Sequence, residues 1–322
     1  RQKIYRLYEM IPGILIWTAL AGSVILSFIR PLWVITFIII FDLYWLFRVG
    51  YFIFYILLSW RRFRRAVSEN WLIRVQSVKN WRRIHHLIFL PIYGENETVV
   101  RATLTGLTQA NYPREKMFVV LAGEERKKEE FVRLARTLTR EFGHRFGRMW
   151  VTVHPKDLEE EIPGKGSNLH YSGRMVQKII DGMGIPYEDI IVSSFDADTV
   201  AHPQYFAYLA HRYLTVANPT RASYQPIALY NNNIWDAPAP VRVAALGTTF
   251  WLMTELSRPE RLFTFSSHSM PFRALVDAGF WQKDIVSEDS RIFLQCFLRY
   301  HGDYRVEPLF MPVSMDAVSG KN

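Results

Sequence analysis

The chain has 322 residues, room for one large domain or two of ordinary size. Hydrophobic residues make up 49%, aromatics 15% and charged residues 21%; a disordered or low-complexity chain lacks that much apolar surface and is excluded. The single cysteine, Cys296, excludes an internal disulfide framework and a Cys-rich zinc module. In its apolar helical run it reads as a small buried hydrophobe in a reducing compartment.

The net charge of +9 is unevenly placed. Residues 1–83 hold 13 Lys/Arg and three acids (Glu9, Asp42, Glu69), whereas 84–322 hold 26 basic and 27 acidic residues. A nucleic-acid-binding protein carries its excess on the folded domain. Here the excess sits at one end, so no nucleic-acid partner is expected.

Residues 10–29 contain no formal charge, about the length that an α-helix needs to cross the hydrocarbon core of a bilayer. After Arg30 and Pro31 a second apolar stretch, 32–58, is broken only by Asp42 and Arg48. It reads either as one long helix or as a span to about Phe47 followed by an interfacial segment. Residues 1–60 are therefore expected to be a transmembrane hairpin. Arg1, Lys3 and Arg6 precede it and Arg61, Arg62, Arg64 and Arg65 follow it, while its connection holds Arg30 alone. By the positive-inside rule both ends, and the domain beyond, are cytoplasmic, which predicts a multi-pass protein of the cell (inner) membrane. Residues 61–83 alternate basic residues with Trp71 and Trp81 and read as an amphipathic segment on anionic headgroups. The lipid bilayer is thus an expected partner. Asp42, near mid-membrane, leaves room for a further span or subunit.

From residue 84 the pattern changes to short apolar runs between amphipathic stretches. Strands are predicted at 86–92, 117–121, 149–153, 189–195 and 222–226. Helices are predicted at 95–107, 127–142, 168–181, 203–214, 241–256 and 288–300. Such alternation implies one α/β domain, 84–322, built on a mixed, mostly parallel sheet flanked by helices. Ligands of such sheets bind beyond the carboxyl ends of the strands. The residues there are Pro91-Ile92-Tyr93-Gly94-Glu95, Gly123-Glu124-Glu125 and Asp196-Ala197-Asp198. Pro163-Gly164-Lys165-Gly166-Ser167 lacks the phosphate-loop pattern, and no Rossmann glycine pattern follows the first strand. Neither a nicotinamide enzyme nor a nucleoside-triphosphatase is expected.

Asp196 and Asp198, two carboxylates separated by one residue at a strand end, suit a hard cation, Mg²⁺ or Mn²⁺, that completes its shell with phosphate oxygens. By itself such a pair is also common in turns. Four segments together, in order, resemble family 2 glycosyltransferases, which have the GT-A fold. Pro91–Glu95 resembles the family's Pro-x-Tyr-x-Glu start. Phe195-Asp196-Ala197-Asp198 resembles its metal-binding Asp-x-Asp. Lys165-Gly166-Ser167-Asn168 resembles a Lys-x-x-Asn near the donor. Gly279-Phe280 with Ser287-Glu288-Asp289 resembles the Gly-Gly-Phe and Thr-Glu-Asp elements, 91 positions separating Asp198 from Asp289. The resemblance covers roughly residues 84–310, and with the preceding hairpin it extends to membrane synthases of the cellulose, chitin and hyaluronan type.

The resemblance implies that Asp196 and Asp198 hold the metal and that Asp289 is the catalytic base, tuned by Glu288. It places Tyr93, Glu95, Glu124, Lys165 and Asp196 at the donor, a nucleotide-diphosphate sugar with a UDP-sugar favoured. Trp235, His268 and Trp281 are candidates for the acceptor, a glycan or a lipid-linked hydroxyl; core packing is the alternative for both tryptophans. Single displacement implies inversion. Transfer to a polyprenyl phosphate, or a non-catalytic nucleotide-sugar-binding subunit, remains the alternative. The Gln-x-x-Arg-Trp element of processive synthases is not present up to Asn322, and the chain opens on Arg1. A fragment of a longer protein is expected, with processivity open.

Overall fold

The computed structural model describes residues 2–317, and the chain divides into two compact units, Arg1–Tyr55 and Ile56–Asn322. The first unit holds α1 (Gln2–Ile29) and most of α2 (Pro31–Ser68), joined at Arg30 alone. Pro31 starts α2 where no helical N–H is needed. The second apolar stretch is one unbroken helix through Asp42 and Arg48 rather than a span and a separate interfacial segment. Ile4–Ile29 and Pro31–Ser68 are both long and apolar enough to cross a membrane, each reaching a mean hydropathy of 1.9. Their side chains are exposed almost throughout up to Gly50, and towards the end of α2 Ser59 and Ala66 are buried.

In the second unit, α3 (Trp71–Gln76) is capped by Asn70, whose side chain accepts from the Ile73 N–H at 3.3 Å. Next come β1 (His85–Ile92), α4 (Glu97–Thr108), β2 (Met117–Glu124), α5 (Lys128–Phe142), β3 (Arg148–His154), α6 (Lys165–Met183) and β4 (Ile190–Ser194). The rest is β5 (Val200–Ala201), α7 (Tyr205–Thr215), β6 (Ala222–Tyr230), α8 (Ala239–Leu256), β7 (Ser269–Pro271), α9 (Phe272–Asp277), α10 (Glu288–Arg299) and β8 (Arg305–Met315).

The expected α/β sheet flanked by helices is present, with eight strands in the order β3-β2-β1-β4-β7-β6-β8-β5. The first four neighbours are parallel, and β7 runs antiparallel to both β4 and β6. β1 alternates its side chains between two cores: Leu87 and Phe89 enter one, Ile88, Leu90 and Ile92 the other. Burial on both faces explains the continuous apolar runs of β1, β2 and β4. Helix α5 shows the complementary pattern, burying Phe131, Ala135, Leu138 and Phe142 at intervals of three and four.

The chain winds from β1 outward through β2 to β3, then returns to β4 on the other side of β1. A crevice opens at such a reversal, beyond the carboxyl ends of the strands.

The basic segment 61–83 differs from its expected surface role. Trp71 packs its ring 4.2 Å from Tyr208 and 5.2 Å from His211, and Trp81 is buried against Tyr112. Trp60, just before the segment, is exposed. Two of the expected headgroup anchors instead hold α3 and its flank to the domain, because each ring recovers more apolar contact there than at a surface.

Candidate active site

Three chain segments converge at the reversal between β1 and β4. Asp196 follows β4, with the Phe195 N–H bonded to the Phe89 carbonyl at 3.1 Å. Lys165 opens α6, and Glu288 and Asp289 open α10. Gly166 permits the approach of the two helix ends: a Cβ there would lie 2.8 Å from the Gln282 carbonyl and 3.1 Å from the Glu288 Cβ. With that contact made, Lys165 Nζ sits 2.7 Å from Asp196 Oδ1, 2.7 Å from Asp289 Oδ2 and 3.3 Å from Glu288 Oε1. One ammonium therefore serves three carboxylates.

This imbalance governs the protonation of the site. Burial would lower the Lys165 pKa, but Asp289, Asp196 and Glu288 together push it up. For Asp196, burial acts upward and is outweighed by Lys165 and by the hydroxyl of Ser266, which donates to Oδ2, so its pKa is lowered. Burial and the adjacent Asp289 push Glu288 up to about 7. Asp198 is raised to about 6 by burial and by Asp196. The Asp316 N–H donates to its Oδ2 at 3.0 Å, while its buried Oδ1 has no partner among the described residues.

A polar wall from the segment before β7 backs the cluster. Thr264 Oγ1 donates to the Asp289 main-chain carbonyl at 2.5 Å. Ser267 bonds the Asp196 N–H at 3.3 Å and Thr199 Oγ1 at 2.7 Å. Ser267 holds φ at 60°, a conformation costly for a residue with a Cβ and maintained by these bonds. His268 is wholly buried, its Nδ1–H donating to the Phe265 carbonyl at 2.9 Å and lying 3.7 Å from Asp289 Oδ1. Burial lowers its pKa more than Asp289 raises it. His268 is thus a neutral support for the loop, and it presents no face to an acceptor.

Lys165, Asp196, Glu288 and Asp289 are in direct contact, with Asp198 beside them. His268 backs them at 3.7 Å from Asp289, and the remaining candidates lie apart. Glu124, at the end of β2, is buried and paired with the Arg126 guanidinium through Nε at 2.8 Å and through a second contact from Nη2. Arg126 also covers the Tyr93 ring at 4.4 Å. Glu95 turns back to accept the Tyr93 N–H at 2.5 Å. Glu124, Arg126, His154, Lys156 and Glu161 line a cavity of about 140 Å³. Trp235 is 82% exposed on the loop after β6. Trp281 is fully buried, edge-on to Phe89 at 5.7 Å. Core packing removes its ring from any acceptor contact.

Sequence reasoning passed over Arg126 and Thr264, whereas Ser266 and Tyr230 fall in the segments 265–270 and 230–235, whose hydroxyls and aromatic faces suit a carbohydrate. Arg126 follows Glu124 by two positions, a spacing that could have marked it as a partner. Burial and the charges of Asp196, Asp198 and Asp289 push the Tyr230 phenol up. Nothing local marks Thr264 for such a role.

Among the described residues no group of three or more His, Cys, Asp or Glu side chains is arranged to hold a metal ion. Asp196 and Asp198 are a two-carboxylate set, the number with which Mg²⁺ combines phosphate and water oxygens. The unpartnered Asp198 Oδ1 fits such a cation.

No protein-family model matches the chain, and no curated protein matches it. Solved structures similar to it include a mannosyltransferase, PcManGT from Pyrobaculum calidifontis, in complex with GDP-Man and Mn²⁺. At 18% identity and a TM-score of 0.48, that similarity covers 84% of this chain and 67% of the mannosyltransferase. S. aureus TarS 1–349 is similar at 10% identity and a TM-score of 0.42, over 72% of this chain and 60% of TarS. TarS 1–349 in complex with UDP-GlcNAc gives 11% identity, a TM-score of 0.41 and coverage of 74% and 60%. The chain thus spans about 60% of the length of TarS 1–349. At these TM-scores the likenesses carry no ligand, metal or activity over to this chain.

Proposed function

We propose that this chain is an inverting, metal-dependent glycosyltransferase that moves a sugar from a nucleotide-diphosphate donor to a hydroxyl of a glycan or lipid-linked acceptor. One observation carries the reading: Lys165 Nζ within 2.7 Å of both Asp196 and Asp289, at the carboxyl ends of the strands. A cation and an excess of carboxylates meet where a diphosphate leaving group and an acceptor hydroxyl must both be handled. The four segments that resemble family 2 enzymes lie in the corresponding order and support it.

Asp289 is the base. Its carboxylate accepts the acceptor proton as the acceptor oxygen bonds to the anomeric carbon and the bond from that carbon to the diphosphate breaks. The proton ends on Asp289 and the electron pair on the departing diphosphate. A single displacement inverts the anomeric centre. Asp289 is tied to Lys165 before donor binds. An arriving diphosphate competes for the ammonium, which frees the carboxylate and stabilises the charge that develops on the leaving group. Glu288, raised to about 7, limits the negative charge crowding Asp289. Asp196 and Asp198 would hold Mg²⁺ or Mn²⁺, which supplies Lewis-acid stabilisation of the diphosphate when bound. Tyr93, Glu95, Glu124 and Arg126 bound the nucleotide end, and Trp235 offers an exposed ring to the acceptor.

The apolar stretches of the two helices, exposed almost throughout up to Gly50, support a membrane anchor, since so large an apolar surface is unfavourable in water. The flanking charges put the enzymatic domain on the cytoplasmic side. The test is transfer from radiolabelled UDP- and GDP-sugars by the full chain in detergent with Mn²⁺. Asp289→Asn should retain donor binding and lose transfer. Unchanged transfer by that variant refutes the reading.

A further inference from the structure

A second charge cluster lies where α2 leaves its apolar stretch. Arg62, Arg65, Glu69, Trp71, Arg74, Tyr208 and Phe310 line a cavity of about 220 Å³. Three arginines face one acid, and that acid is taken: Arg74 donates to Glu69 through Nε at 2.8 Å. Arg62 rests over the Phe310 ring at 5.2 Å. Among the described residues neither Arg62 nor Arg65 has a carboxylate partner. The floor is aromatic, with Trp71 held against Tyr208.

Two cationic groups without counter-charge above an apolar floor suit a ligand with a phosphate at one end and hydrocarbon at the other. Guanidinium groups match phosphate oxygens in a bidentate fork. Position favours a lipid as the source. Trp60, exposed, marks the end of the apolar stretch. At the helical rise per residue, Arg62 and Arg65 lie ~3 and ~8 Å beyond it along α2, the depth of a headgroup layer.

We propose that this cavity binds the phosphate headgroup of an anionic glycerophospholipid and so fixes the start of the soluble domain at the membrane surface. The proposal rests on the membrane reading above, but not on the glycosyl-transfer reading.

The experiment uses the full chain in neutral detergent and measures binding of fluorescent phosphatidylglycerol, with phosphatidylcholine and inorganic phosphate as competitors. Arg62→Gln with Arg65→Gln should weaken binding at least ~10-fold, as expected when two surface cations lose an anionic lipid. Arg61→Gln with Arg64→Gln removes the same charge from the same turns outside the cavity and should stay within ~3-fold. Equal losses in the two double variants would mean diffuse attraction and overturn the site. Equal competition by phosphatidylcholine overturns the headgroup, and displacement by inorganic phosphate at matched concentration overturns the lipid. A chain that stays monodisperse in water without detergent overturns the membrane reading together with this one; insertion without lipid selectivity overturns the cavity alone. All four arginines are exposed, so equal thermal transitions will show that each variant folds.

Discussion

The two charge clusters are opposites. Around Lys165, one cation meets three carboxylates, mostly out of water. Around Arg74, three cations meet one carboxylate at the surface. The first imbalance is enforced by packing, since Gly166 brings two helix ends into contact and crowds their charged side chains together. The second is maintained by exposure, since arginines in water repel weakly. A surplus of charge held in place is a mark of a missing partner of the opposite sign: a cation or a proton for the acids, a phosphate for the arginines.

Substitutions should affect the buried cluster far more than the exposed one. The largest effect is on chemistry: Asp289→Asn should slow transfer by ~10²–10⁴-fold, the usual contribution of a general base, in initial-rate assays with donor affinity intact. Lys165→Met strands three carboxylates and should cost about 3 kcal/mol of stability at neutral pH, with the loss shrinking in acid; thermal scans at pH 5 and pH 8 will read it. A variant as stable as the parent would show that the ammonium is not what holds the acids together.

Glu288 sharpens the same point. It titrates near 7 folded, against the ordinary 4.5. The folded chain therefore holds the proton more tightly, and stability falls as pH rises from about 4.5 to about 7, then levels. Glu288→Gln should be more stable than the parent at pH 8 by up to ~3 kcal/mol, and no different near pH 4.5. Smaller in free energy is the competition between proton and metal at Asp198. With its pKa raised to about 6, Mn²⁺ affinity should fall as pH drops through that value, by ~10-fold per unit below it; calorimetric titration across pH 5–7 checks this. The smallest effect belongs to the exposed cluster. Arg62→Gln with Arg65→Gln should change stability by less than ~0.5 kcal/mol, whatever it does to lipid binding.

Much of the first half of the sheet was legible because its strands are buried on both faces and separated by amphipathic helices. The predicted strands at 86–92, 117–121 and 149–153 differ from β1, β2 and β3 by a few residues at their ends. In the second half only β6 was legible, predicted at 222–226 and observed at Ala222–Tyr230. β8 carries Pro308 and Pro312, which donate no ladder hydrogen bond and argue against a strand, yet it pairs with both β6 and β5. β5 and β7 span two and three residues, too few to show a period. Helix α9 is also short, and its start at Phe272 directly after β7 hid it.

Asp196, Asp198, Glu288, Asp289 and Lys165 were all visible in the sequence, because carboxylates at strand and helix ends are a local pattern. The order of elements and the charge asymmetry were local too. What only the tertiary structure decided was which of these groups meet. The closeness of Lys165 to Asp289 joins residues 124 positions apart and depends on a glycine with room for another backbone. The arginine cavity needs Tyr208 and Phe310 from remote parts of the chain. The packing of Trp71 and the burial of Trp81 and Trp281 likewise depend on partners that no local window contains. Periodicity and charge are properties of neighbours along the chain; pairing and burial are properties of neighbours in space.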